Sequence, residues 1–131
     1  MKVVALDHGT VRTGIAVSDE TGTLARPLGV VERVGTQAGF AELLALLEAE
    51  RPARLVVGLP LSLDGKEHAQ ARLARAFAAR LAEAVEVPVE LFDERFTSRL
   101  ADQRGGTAAR DARAAATLLE DYLRTVNAQG T

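Results

Sequence analysis

The run Val3-Val4-Ala5-Leu6-Asp7 constrains this chain more than any other segment. It is apolar without interruption and β-branched at its start, the pattern of a strand covered on both faces. It then ends on a carboxylate. An acid closing a central strand is costly unless it meets water, a donor or a cation. Asp7 therefore marks either a strand end at solvent or the floor of a polar site.

The segments that follow fill out a mixed sheet. Gly14-Ile15-Ala16-Val17-Ser18 reads as a second strand and Leu28-Gly29-Val30-Val31 as a third, joined by short polar turns into an antiparallel meander. The period then changes. Phe40, Leu43, Leu44 and Leu47 fall at i, i+3, i+4 and i+7, predicting a helix with Thr36 as N-cap and a stop near Arg51-Pro52. Leu55-Val56-Val57-Gly58-Leu59 is the fourth strand, limited by Pro60. A helix over about 68–84 is predicted to bury Leu73, Phe77 and Leu81. Val89-Glu90-Leu91-Phe92 is the fifth strand. A short helix from Thr97 or Ser98 to about Gln103 should break at Gly105-Gly106. The last helix is expected from Arg110 or Asp111 to Arg124. The order β-β-β-α-β-α-β-α predicts an α/β fold, a five-stranded mixed sheet with helices on both faces. At 131 residues, one domain over 1–131 is the expectation.

Composition excludes several classes. The chain has no cysteine, so disulfides, thiolate zinc sites and cysteine nucleophiles are out. A net charge of -2 leaves no globally basic surface, although local arginine patches remain open. No stretch approaches the roughly 18 apolar residues of a membrane span, so no membrane partner is expected.

Four acids at element ends are the candidate chemistry. Asp7 ends the first strand, Asp93 and Glu94 end the fifth, and Asp111 stands at the start of the last helix. The fold could bring these distant segments together. Oxygen ligands with several negative charges favour Mg²⁺ or Mn²⁺, and paired ions can act at a phosphodiester. Ordinary alternatives stand beside this reading: Asp93 pairing with Arg95, and Asp111 as a helix N-cap. Asp93 and Glu94 are adjacent, so an extended backbone points them in opposite directions and only one should be a direct ligand. The longer reach of Glu94 favours it.

The turn His8-Gly9-Thr10-Val11-Arg12 could cradle a phosphate on its amides, with Arg12 as a fork. Gly9 could equally serve tight backbone geometry, and Arg12 a surface salt bridge. His8 could be a general base or metal ligand, but without a histidine neighbour in sequence an ordinary turn role is favoured. Arg95, Arg99, Arg104 and Arg110 could contact a phosphate backbone, or lie on a solvated helix end.

Three motifs together resemble the YqgF/RuvX family, which is similar to Holliday-junction resolvases within the RNase H-like superfamily. They are Leu6-Asp7-His8-Gly9-Thr10-Val11-Arg12-Thr13-Gly14-Ile15-Ala16-Val17-Ser18-Asp19, Val57-Gly58-Leu59-Pro60-Leu61-Ser62-Leu63-Asp64-Gly65 and Asp93-Glu94-Arg95-Phe96-Thr97-Ser98. The terminal helix from Asp111 adds to the match. The resemblance implies an RNase H-like fold and a cytoplasmic, Mg²⁺- or Mn²⁺-dependent nuclease maturing the 5′ end of pre-16S ribosomal RNA. By carry-over, Asp7, Glu94 and Asp111 look like the acidic centre, with Asp93 as a neighbouring candidate. The expected partners are structured RNA or branched DNA, with ribosomal precursor particles as a further candidate, and the expected state is a monomer or weak homodimer. Two departures stand out. Related resolvases carry an acid after the fourth strand, where this chain has Leu59-Pro60, and the segment between Ser98 and Asp111 is short for the family. The alternatives are a non-catalytic RNA-binding assembly factor and a junction-cleaving enzyme. An actin-like ATPase also opens on such a turn, but needs a second lobe and phosphate loop that this length does not supply.

Overall fold

A computed structural model describes residues 1–94 and 107–129. Five strands form one sheet: β1 (Val3–Asp7), β2 (Arg12–Ser18), β3 (Ala25–Glu32), β4 (Arg54–Leu59) and β5 (Val89–Asp93), in the order β3-β2-β1-β4-β5. The first three pair antiparallel, while β4 lies parallel to β1 and β5 parallel to β4. The strands β1, β4 and β5 therefore end at the same edge of the sheet, and their C-terminal residues become neighbours.

Three helices complete the described fold: α1 (Gln37–Glu50), α2 (Ala69–Ala84) and α3 (Thr107–Gln129). Thr36 caps α1 as the sequence predicts, its hydroxyl accepting from the Gly39 N–H at 3.1 Å. Strand alternation sends Val4 and Leu6 to one face of the sheet, where they meet Phe40, Leu43 and Leu47 of α1 and Phe77 and Leu81 of α2. Val3 and Ala5 point to the other face, against Ala115, Leu118, Leu119 and Tyr122 of α3. All four strand residues are fully buried, the double coverage expected of β1.

Several boundaries differ from the sequence reading. The edge strand β3 starts three residues early and takes in Pro27, which an edge tolerates because the proline nitrogen has no ladder partner to supply. Leu73 is 43% exposed rather than buried. The buried stripe of α2 runs through Ala71, Ala74 and Ala78 beside Phe77 and Leu81, and Leu73 falls to one side of it. The buried face of α2 is thus built of small residues as well as large ones. The last helix begins at Thr107, placing Asp111 inside it, where it cannot be the N-cap. The expected short helix at 97–103 and the Gly105-Gly106 break lie outside the described residues, as do Arg95, Arg99 and Arg104. No helix among the described residues is long and apolar enough to cross a membrane.

Candidate acidic site at the sheet edge

Asp7, half-buried, is the last residue of β1. Since Val3 and Ala5 pack on α3, the two-residue repeat sets Asp7 on the α3 side as well. Its antiparallel partner is Gly14 in β2. A side chain at Gly14 would overlap the main-chain oxygen of Asp111 and come within 2.6 Å of its carbonyl carbon. The first turns of α3 thus rest directly on the backbone beside Asp7, and that close approach carries Asp111 to the edge of the site.

The same repeat separates the two adjacent acids. Glu90 and Phe92 face α3: Tyr122 donates from its hydroxyl to Glu90 Oε1 at 3.1 Å, and the Phe92 ring meets the Tyr122 ring edge-on at 5.6 Å. The Glu94 N–H donates to the Leu59 carbonyl at 3.1 Å, continuing the pairing one step past β5. Glu94 therefore shares the α3 side, where its side chain is buried against Gly58. Asp93, one residue earlier, belongs to the opposite side and is exposed. Of the adjacent pair, the structure brings Glu94 to the side of Asp7 and Asp111, and leaves Asp93 off it.

Arg12 does not extend freely from its turn. Its Nε donates to Asp111 Oδ2 at 2.9 Å, an ion pair linking the start of β2 to α3. This is the salt-bridge alternative of the sequence reading, with a partner 99 residues away that spacing could not reveal. Arg110 Nε lies 3.9 Å from Asp111 Oδ1, so two guanidinium groups flank this one carboxylate. Gly9 serves backbone geometry, because a side chain there would overlap the Arg12 carbonyl oxygen.

His8 turns away from the acids. Its ring stacks on Phe77 of α2, with centroids 4.7 Å apart, and burial lowers its pKa below the usual imidazole value. A ring packed on the other face of the sheet, away from the acids, suits the turn role better than a metal-ligand role. The position after β4 is Pro60, preceded by the buried Leu59, so no acid stands there.

Hard, oxygen-only donors from Asp7, Glu94 and Asp111 match in type what a divalent cation of the magnesium class takes. Among the described residues, however, no group of three or more such side chains stands close enough to hold a metal ion. The engagement of Asp111 by Arg12 is consistent with that. The donor chemistry and the shared side fit a cation, with Asp111 drawn toward its arginine. An apolar cavity of about 660 Å³ sits at the opposite end of the strands, among Leu47, Arg51, Leu55 and Val87.

Sequence reasoning missed the two glycines. Both lie in motifs quoted for their resemblance, yet Gly14 and Gly58 look like ordinary strand residues until their neighbours are known. We expect Gly14→Ala to destabilise the fold by about 1–3 kcal/mol, because the methyl group meets helix backbone that cannot rotate aside. Urea unfolding, read by circular dichroism, checks this.

Comparison with known proteins agrees with these observations. The sequence profile of a family described as RuvX, Holliday junction resolvase, matches residues 1–125. A relative from Anaeromyxobacter sp. (strain Fw109-5) is 46% identical, with 94% of this chain and 96% of that protein covered. One from Maridesulfovibrio salexigens is 41% identical, covering 94% and 98%. Both carry the name "Putative pre-16S rRNA nuclease". Among solved structures, Thermus thermophilus RuvC superposes with a TM-score of 0.58 at 20% identity, over 98% of this chain and 97% of that one. The same protein in complex with a Holliday junction substrate gives 0.54 at 20% identity, over 95% and 94%. At that identity the likeness establishes the fold: a five-stranded RNase H-like sheet with flanking helices.

Proposed function

From the premise that the chain belongs to the RuvX family, we propose that it is a metal-dependent nuclease acting on precursor ribosomal RNA, at the 5′ end of pre-16S rRNA. The observation that carries this reading is the common side of Asp7, Glu94 and Asp111, supplied by three separate segments at one end of the sheet. The names of the curated relatives support the substrate. The reading includes a cytoplasmic location and structured RNA as the partner.

Asp7 and Glu94 would hold a Mg²⁺ or Mn²⁺ ion, with Asp111 completing the donor set when it leaves Arg12. The cation supplies charge neutralisation at the phosphate and activation of water. The protein supplies the rest. Asp7 and Glu94 concentrate negative charge at the strand ends, Asp7 within the ladder of β1 and Glu94 tied to β4 by its N–H on the Leu59 carbonyl. Arg12 and Arg110, already paired with a carboxylate, are placed to exchange it for a phosphate oxygen, which accepts the same guanidinium geometry. Arg95, Arg99 and Arg104 extend that phosphate-binding role by the sequence reading. With so few cations, binding should be modest and fall with added salt.

The test is cleavage by purified protein with Mg²⁺ or Mn²⁺, of precursor 16S RNA against a four-way DNA junction at matched salt. The reading expects metal-dependent cleavage of the RNA at its 5′ side, with the junction cut much more slowly. RNA binding with no cleavage would identify a non-catalytic assembly factor instead. Preferential junction cleavage would identify a resolvase.

A further inference from the structure

The row of residues across the sheet at Asp7 has an unusual composition. Asp7 pairs with Gly14 on the β2 side. On the β4 side Leu6 lies beside Val57, so the next step along both strands sets Asp7 beside Gly58. The central acid is thus bracketed by two residues without side chains, and each gap is used by a different element. The gap at Gly14 admits the backbone of α3 at Asp111, and the gap at Gly58 admits the carboxylate of Glu94.

The two gaps differ physically. At Gly14 the obstructing atoms would be main chain. At Gly58 an added methyl group would overlap Glu94 Oε2 and lie 2.5 Å from Cδ, both at the far end of a flexible side chain. Gly58 is not among the residues with positive φ, so an alanine there meets no backbone strain. Glycine in a strand ordinarily costs stability through backbone entropy and a missing contact. A buried strand position that sacrifices that stability, and whose empty volume is filled by a 6%-exposed carboxylate, has a use other than packing.

We infer that Gly58 is a positioning residue: its missing side chain is the seat that lets the Glu94 carboxylate lie across β4 toward Asp7. Any side chain at position 58 swings Glu94 off that seat while leaving the sheet intact. This rests on the proposed metal-dependent reading and names a residue that reading does not require.

The test measures Mn²⁺ binding by electron paramagnetic resonance or calorimetry, with no nucleic acid present. Wild type, Gly58→Ala, Glu94→Gln and the double variant are compared, each melted in parallel. The expected result is a Gly58→Ala protein that melts within a few degrees of wild type yet binds Mn²⁺ about tenfold more weakly or worse, in the range for residues that orient metal ligands. In the Glu94→Gln background the same substitution should add little, because both changes remove one interaction. In cleavage assays kcat should fall while KM for RNA holds. Wild-type Mn²⁺ affinity in Gly58→Ala, alongside weakened Glu94→Gln, overturns the inference and leaves the nuclease reading standing. So do additive losses in the double variant, or a Gly58→Ala chain that does not fold. If wild type itself neither binds Mn²⁺ nor cleaves RNA, the proposed function falls and the inference falls with it.

Discussion

Asp7→Asn should remove most metal-dependent cleavage while nearly preserving the fold. Asparagine matches aspartate in size and still hydrogen-bonds, and Asp7 sits at the half-buried end of β1 rather than in its fully buried middle. The substitution therefore leaves the packing of Val3 to Leu6 alone. What it removes is one negative charge at the centre of the row between Gly14 and Gly58. A loss in turnover of about 10²-fold or more is expected, at least roughly 2.7 kcal/mol of transition-state stabilisation. RNA affinity measured without metal at fixed salt should change far less, because phosphate contacts come from arginines. Circular dichroism and thermal melting must accompany the assay, since lost folding would mimic lost chemistry. Full cleavage by a folded Asp7→Asn protein would take Asp7 out of the site.

The second large effect separates neighbours in sequence. Glu94→Gln should lose turnover on a similar scale, about 10²-fold, whereas Asp93→Asn should lose little. The two residues differ in the side of the sheet they serve. Glu94 is buried against Gly58 on the side of Asp7, and Asp93 is exposed at the end of β5 on the other. Glutamine keeps the volume that fills the seat, so the fold should tolerate it. Turnover with saturating RNA, compared between the two variants, decides the matter. A dead Asp93→Asn beside an active Glu94→Gln would reverse the assignment.

The fold was largely legible because its signals are local. An uninterrupted apolar run announces a doubly covered strand, a three-four repeat announces a helix, and proline and glycine punctuate them. Leu73 of α2 shows where local pattern runs out. It continues the i+4 series of Phe77 and Leu81, yet only those two are buried, and Ala71, Ala74 and Ala78 complete the buried face in its place, because the packed face depends on what the sheet presents to the helix. The position of Asp111 failed for a related reason. An aspartate before an alanine-rich helix looks like a cap, but the helix already runs from Thr107, with alanine at 108 and 109 favouring its continuation.

The amino-acid sequence by itself determined the five strands and the three described helices, the acids that close β1 and β5, and the rule that adjacent Asp93 and Glu94 face opposite ways, since all of these follow from backbone geometry within a few residues. Only the tertiary structure decided which acid faces Asp7, that Arg12 closes on Asp111, and that Gly14 and Gly58 are spaces with occupants. Those outcomes depend on the strand order β3-β2-β1-β4-β5 and on which side α3 packs. They join residues as much as 99 positions apart. A glycine's purpose is a volume, and that volume has no meaning until another segment of the chain is known to fill it.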